Sequence, residues 1–141
     1  MHIIATLLLA ALPIANVKLP NGSVLKVEVV TPDTPGEFGR GLLGRKSIAP
    51  DSGMLFVYPG PQRTKFNLMG YEVPVDIVYL DDTKTIVNLK PNAAPCPIKP
   101  GDCGHDSIWD HKYALQLQAG SIKRLKIFAG DKVSFDLPPN K

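Results

Sequence analysis

The 141-residue sequence contains no long apolar run, little excess of either charge and only two cysteines. Its longest largely apolar stretch, residues 3–12, is about half the roughly 20 residues that a membrane-spanning helix needs. The formal net charge of +3 is far from the dense Lys/Arg surface of a nucleic-acid-binding domain. We therefore expect no transmembrane segment in the mature chain and no nucleic acid among its partners.

The sequence also lacks the motifs of several enzyme classes. It contains neither the Gly-x-Ser-x-Gly motif of a serine nucleophile nor a Cys-x-x-Cys redox motif. We predict no cofactor. A hydrolase-like enzyme of unknown substrate, with its site assembled from scattered Arg, Asp and His side chains, stays open as an alternative to a binding domain.

The two cysteines, Cys96 and Cys103, are separated by a proline-rich segment. In an oxidising compartment, two cysteines so close in sequence most simply form a disulfide. The alternatives are free thiols or a zinc site that adds His105 and His111. We predict the disulfide and no metal site, because the spacing of these Cys and His residues is loose compared with standard zinc modules.

The N-terminal residues have the features of an export signal. The apolar stretch is followed by a small-residue end, Pro13-Ile14-Ala15. A native first strand is the alternative, since no lysine or arginine precedes the apolar stretch. We predict a signal peptide over residues 1–15, a single β-rich domain over residues 16–141, and an exported, periplasmic or cell-envelope location.

Proline content and alternating apolar residues indicate a β fold. The 14 prolines are about twice the usual share and are spread along the chain, where they would interrupt long helices. Strands over residues 17–19 and 24–30 flank Asn21-Gly22, a pair that favours a tight hairpin turn. Further strands are predicted at residues 54–58, 63–69, 75–80, 85–89, 112–118 and 132–137.

Two short helices complete the prediction. Thr34-Pro35-Gly36-Glu37 matches a capping box that begins a helix, and Gly44 is expected to end it. Ser121 is expected to begin a single helical turn. The predicted fold class is therefore all-β, a mainly antiparallel β-sandwich or barrel-like domain with one or two short helices.

Several short motifs follow one another in order between residues 24 and 135. They are Glu37, Arg40–Leu43, Arg45, Gly53–Tyr58, Phe66, Val73–Ile77, Leu115–Leu117, Ala119–Gly120 and Gly130–Asp131. Together they resemble the family catalogued as domain of unknown function 192. The resemblance implies a compact β-rich fold, often in an exported or envelope setting, and brings no established activity.

The sequence departs from that family pattern at two places. Residues 67–71 stand where the family has Trp-Met-Lys-Asn-Thr, and Gln116 stands where it has Glu. Any role of the family's Lys or Asn is therefore not transferred to this chain.

Charged residues at the ends of apolar segments are the candidate site. Asp76 shares a strand face with Val78 and Leu80, so we expect it to be buried, where a carboxylate needs a cation or several donors. Arg40 and Arg45 are the expected partners, because guanidinium can meet a carboxylate with two hydrogen bonds. The pair could simply fix the fold, or it could line a pocket with Asn67 and Glu72.

The sequence thus supports three functional hypotheses. The first is an exported domain that binds a small polar ligand or an envelope protein through Arg40, Arg45, Asn67, Glu72 and Asp76. The second is the hydrolase-like enzyme, and the third is a purely structural accessory protein.

Overall fold

The computed structural model describes residues 11–33, 35–96 and 105–139. The first two strands, β1 (Ile14–Lys18) and β2 (Val24–Val30), form the predicted antiparallel hairpin, with Val17 opposite Leu25. Gly22 has a φ of 90°, which is the left-handed backbone that the Asn-Gly turn requires. The hairpin prediction is therefore confirmed.

Six strands form the main sheet and two shorter ones form a small second sheet. The remaining strands are β3 (Ser52–Gln62), β4 (Lys65–Phe66), β5 (Val75–Leu80), β6 (Ile86–Ala93), β7 (His105–Asp106) and β8 (His111–Gln118). The order in the main sheet is β1-β2-β3-β8-β5-β6, and β4 pairs with β7. Strands β2 and β3 run parallel, whereas the other neighbours are antiparallel.

A short helix lies in the connection between the two parallel strands. Helix α1 (Pro35–Arg40) ends four residues before the predicted end at Gly44. The reason is Gly41, whose φ of 56° places it in the left-handed region where helices commonly end. Thr34, the predicted cap, lies outside the described residues.

The C-terminal part packs on the sheet without joining it as a strand. Helix α2 (Ser121–Arg124) forms at the predicted turn. The strand predicted over residues 132–137 is wrong, because this segment makes only single bridges, Lys18 with Ser134 and Thr85 with Lys132. It therefore crosses the ends of two strands instead of running along one.

The main sheet is buried on both faces, because successive side chains of a strand point to opposite sides. We call the side covered by residues 125–135 the α2 face and the side covered by α1 and residues 42–48 the α1 face. The α2 face includes Leu25, Val27, Leu55, Val78, Leu115, Leu125, Ile127 and Phe135. The α1 face includes Leu42, Ile48, Met54, Phe56, Ile77, Tyr79 and Ala114.

The all-β fold with two short helices is confirmed. The sequence left a sandwich and a barrel open, and the structure instead has one mixed main sheet with a covered surface on either side. In the part of the chain that the structure describes, no helix has the length and apolar character needed to span a bilayer.

The predicted leader overlaps the start of the fold. Residues 1–10 lie outside the described residues, whereas Ile14 and Ala15 belong to β1 and Ala15 is buried in the α2 face. The boundary at residue 15 stays a prediction.

Candidate functional site

A cleft of about 270 Å³ opens on the α1 face. One wall is the end of α1 with the loop that follows it, and the other is the segment after β4. Phe56 of β3 contributes from the sheet between them. The lining residues are Phe38, Gly39, Arg40, Gly41, Leu43, Phe56, Phe66, Asn67, Leu68, Met69 and Tyr71.

Aromatic rings build much of the cleft and hold its walls together. The ring centroids of Phe38 and Phe56 are 5.8 Å apart in an edge-to-face arrangement. Those of Phe56 and Phe66 are 5.1 Å apart, which links the sheet to the segment after β3. Such ring pairs contribute to stability beyond the area that they bury. The packed rings therefore hold the apolar surface of the cleft in place.

The Tyr71 hydroxyl joins both walls to the sheet. It accepts a hydrogen bond from the Leu42 N–H at 3.0 Å and donates to Gln116 Oε1 at 2.7 Å. Burial raises the pKa of Tyr71 above its usual 10, so the hydroxyl stays protonated at neutral pH. Gln116 is fully buried, and its Nε2 has no hydrogen-bond partner among the described residues.

Two glycines permit this close arrangement. A Cβ atom at Gly41 would lie 2.5 Å from the Tyr71 hydroxyl oxygen and 3.1 Å from the Phe56 ring. A Cβ atom at Gly70 would lie 2.7 Å from Leu43 Cδ1. Both glycines have positive φ angles, which side-chain-bearing residues adopt with strain.

The polar lining is cationic or neutral. Arg40 is exposed, and its guanidinium has no ion-pair or hydrogen-bond partner in the described part of the chain. Asn67 accepts the Met69 N–H at Oδ1 at 3.0 Å. Of the residues that the structure describes, none with an acidic side chain lines the cleft.

The structure separates the five site residues that the sequence suggested. Arg40 and Asn67 line the cleft, whereas Arg45, Glu72 and Asp76 do not. Arg45 forms a two-bond ion pair with Glu28, at 2.8 Å from Nη1 to Oε1 and 2.9 Å from Nη2 to Oε2. This hydrogen bonding raises the pKa of Arg45.

Asp76 is buried as predicted, but the expected ion pair with Arg40 or Arg45 is wrong. Its Oδ1 accepts the Asn92 N–H at 2.7 Å, and its Oδ2 accepts those of Gly120 at 3.1 Å and Ile122 at 2.8 Å. Three backbone donors compensate the buried carboxylate, so no guanidinium is needed. The carboxylate thereby caps the start of α2, which has no side-chain cap of its own.

A histidine–threonine pair lies on the same face as the cleft but outside its lining. His111 is fully buried, 5.5 Å from the Tyr58 ring and 4.7 Å from the Tyr79 ring. Its Nε2 lies 2.6 Å from Thr64 Oγ1, and its Nδ1 lies 3.4 Å from the Trp109 carbonyl. Burial lowers the pKa of His111 below its usual 6.5. The spacing resembles a nucleophile and its base, but Thr64 is half-buried, His111 is fully buried, and neither lines the cleft.

The cysteine prediction falls partly outside the described residues. Cys96 is buried and is not a free thiol, whereas Cys103 is not among the described residues, so their pairing stays a prediction. No group of three or more His, Cys, Asp or Glu side chains in the described ranges could hold a metal ion.

The sequence did not identify the polar link between Tyr71 and Gln116. Both residues occur where the sequence departs from the pattern it resembles, and those departures were the available signal. For the aromatic residues of the cleft, the sequence indicates only core positions. An apolar residue gives the same sequence signal in a closed core and in a cleft wall.

Comparison with known proteins gives a family and a fold. The chain matches the DUF192 family, described as "Uncharacterized ACR", over residues 17–135. A protein from Sinorhizobium meliloti 1021, provisionally described as a transcription regulator, has 27% identity and a TM-score of 0.74, covering 86% of this chain and 92% of that one. A protein of unknown function from Novosphingobium aromaticivorans DSM 12444 has 24% identity and a TM-score of 0.73, covering 86% and 83%. No curated protein matches the chain.

Proposed function

The chain belongs to the DUF192 family, and we propose that this member is a binding domain whose cleft takes a small anionic ligand with an apolar body. The observation that carries the proposal is Arg40, a cation without a partner in the described part of the chain, at a cleft with aromatic walls. The structure gives the positions of these side chains, and the class of ligand is inferred from their charge and their apolar surface.

The anionic group is inferred from the polar lining. Guanidinium presents several N–H donors in a fixed plane and meets a carboxylate with two parallel hydrogen bonds. Asn67 lies in the same lining, and its Nδ2 has no partner among the described residues. Because no acidic side chain from those residues is present to repel an anion, the lining favours negative charge.

The apolar body is inferred from the walls and the volume. Phe38, Phe56, Phe66 and Met69 offer ring and thioether surfaces. A volume of about 270 Å³ is slightly below the usual range for drug-sized ligands. A single ring or a short branched chain carrying one carboxylate therefore fits the cleft better than a nucleotide or an oligosaccharide.

Binding is favoured over catalysis because the cleft lacks a reactive pair. The titratable side chains in its described lining are Arg40 and Tyr71, and burial keeps Tyr71 protonated. His111 is fully buried, Thr64 is half-buried, and neither is among the lining residues. A hydrolase would need its nucleophile and base within reach of the bound substrate.

The test is an NMR titration of the ¹⁵N-labelled protein with phenylacetate and its neutral counterpart, phenylacetamide. We expect phenylacetate to shift the amide signals of residues that line the cleft and to bind about tenfold more tightly than the amide. Arg40→Gln should remove this preference for the anion. Arg45→Gln loses the same charge outside the cleft and should keep the preference.

Two results would contradict the proposal. One is that phenylacetate at millimolar concentration shifts no signal from the cleft lining. The other is that Arg40→Gln and Arg45→Gln weaken binding equally, since this would show that net charge, and not the position of Arg40, attracts the anion.

The exported, periplasmic or envelope location and the Cys96–Cys103 disulfide belong to the same proposal. An oxidising compartment would allow the disulfide to form and persist. The intact mass of the protein from a secreting host, measured with and without reductant, tests both points. A mass that retains residues 1–15, or one that reductant does not change, would count against export or against the disulfide, respectively.

A further inference from the structure

We propose that Tyr71 donates the hydrogen bond that recognises the ligand's anionic group, and that Gln116 is the positioning residue that releases this donor by turning its amide. This inference rests on the proposed function and names how the same cleft selects its ligand.

The Tyr71 proton is occupied in the structure. The hydroxyl has one proton, which it donates to Gln116 Oε1, while its oxygen accepts the Leu42 N–H. A ligand acceptor that approaches Tyr71 must therefore compete with Gln116 for this proton. As long as the Gln116 oxygen faces Tyr71, the hydroxyl offers the cleft a lone pair instead of a donor.

The unpartnered nitrogen of Gln116 makes the opposite arrangement accessible. Its Nε2 is fully buried and has no hydrogen-bond partner among the described residues, which is an unfavourable state for a donor. Turning the amide plane by a half rotation exchanges Nε2 and Oε1, and the nitrogen then donates to the Tyr71 oxygen. The displaced carbonyl is left under-satisfied, which proteins tolerate more readily than an orphan N–H.

Ligand binding and the amide turn are coupled through the proton of Tyr71. After the turn, the Tyr71 oxygen accepts from Leu42 and Gln116, so its proton needs a new acceptor. A carboxylate in the cleft provides that acceptor, whereas an apolar ligand does not. Arg40 shares the cleft lining with Tyr71, and Arg45 lowers the pKa of Tyr71 against the effect of burial. Because Arg45 is already paired with Glu28, Arg40 is the cation that favours the anion.

Gln116 variants test the proposal because they act in opposite directions. Gln116→Met has a similar length and no hydrogen-bonding group, so the Tyr71 proton is free and phenylacetate should bind as tightly as to the wild type or a few times more tightly. In Gln116→Glu the new carboxylate accepts the hydrogen bond of the Tyr71 hydroxyl and adds a buried negative charge. Phenylacetate should therefore bind about tenfold or more weakly. Tyr71→Phe should also weaken binding by about tenfold.

A pH series separates recognition from stability. The loss in Gln116→Glu should grow between about pH 6 and pH 9, because a buried carboxyl group ionises over this range. Binding to the wild type and to Gln116→Met should stay constant. Urea unfolding of each variant shows whether its cleft is formed under the assay conditions.

The outcomes distinguish this inference from the proposed function. If the wild type binds phenylacetate through Arg40 but both Gln116 variants weaken binding in proportion to their lost stability, Gln116 is only structural and this inference is wrong. If the wild type shows no anion preference, the proposed function fails first. Undiminished or tighter binding in Gln116→Met together with weaker binding in Gln116→Glu would support the release of Tyr71.

Discussion

On the α2 face, the buried carboxylate of Asp76 receives three backbone N–H groups, whereas on the α1 face the buried amide of Gln116 has one partner and a free nitrogen. Both residues lie in the middle of the main sheet and are fully buried. The Asp76 carboxylate accepts all three N–H groups that point at it, so neither it nor those donors lack a partner. The Gln116 Nε2 donor has no hydrogen-bond partner in the described part of the chain.

Left-handed backbone occurs beside both faces, since Lys126 at 54° and Gly130 at 94° lie in the segment that covers the α2 face. The α1 face is bordered by left-handed residues in both walls of the cleft, Gly41 at 56°, Leu68 at 52° and Gly70 at 79°. Leu68 is buried, and a side-chain-bearing residue held in this region carries local strain. Strain and unsatisfied polar groups concentrate where proteins bind ligands. The contrast between the faces therefore rests on the unpartnered amide of Gln116, and it supports our proposal that the α1 face recognises a ligand.

The largest effect is expected from removing the carboxylate of the α2 face. Asp76→Ala leaves the N–H groups of Asn92, Gly120 and Ile122 without their acceptor and detaches the start of α2 from the sheet. We expect the free energy of unfolding to fall by roughly 4 kcal/mol. Urea denaturation measures the change.

The control for this variant is Asp110→Ala. Asp110 pairs with Arg63 at 3.1 Å, and both side chains are largely exposed, so its removal should cost less than about 1 kcal/mol. If Asp76→Ala is as mild as Asp110→Ala, the three hydrogen bonds do not hold α2. The α2 face would then contribute less to the free energy of unfolding than we propose.

Much of the fold could be predicted because its strongest strands are buried on both sides. Residues 54–58 are an apolar run, and residues 75–80 are apolar except for Asp76. Both are central strands, in which side chains of either parity meet a core. The parallel pairing of β2 with β3 could not be predicted, since it depends on the path of the chain between them. The segment at 132–137 alternates like a strand but bridges two different strand ends.

The candidate site could be predicted only in part. Burial of Asp76 followed from its strand face, but its partners are backbone groups up to 46 residues away, which have no sequence signature. Arg40 and Asn67 were predicted because they are polar residues beside apolar segments, and both line the cleft. The link from Tyr71 to Gln116 spans 45 residues and required the folded structure.

A medium effect is expected where the backbone of the α1 face meets Tyr71. Gly41→Ala adds a methyl group 2.5 Å from the Tyr71 hydroxyl oxygen at a φ of 56°, whereas Gly44→Ala, at 83°, meets no atom within 4 Å. Backbone strain alone should cost about 1 kcal/mol at either position. The overlap should bring the loss at Gly41 to roughly 2.5 kcal/mol.

Phenylacetate binding extends this test to the cleft. Gly41→Ala should reduce the affinity about tenfold or more because it displaces the hydroxyl that joins the two walls, while Gly44→Ala should leave the affinity unchanged. Equal stability losses in the two variants would show that Tyr71 yields without cost. In that event the contact between Gly41 and Tyr71 would not restrict which side chains the α1 face accepts.

The smallest effect is expected from protonation on the α1 face. Burial lowers the pKa of His111 from 6.5, so below that value the unfolded chain binds a proton that the folded protein resists. The stability from the neutral ring is present above about pH 6.5 and declines as the pH falls through the lowered folded pKa. The slope of unfolding free energy against pH should lose this component in His111→Gln and keep it in His105→Gln. A slope unchanged by His111→Gln would place the acid sensitivity elsewhere and remove one of the differences between the two faces.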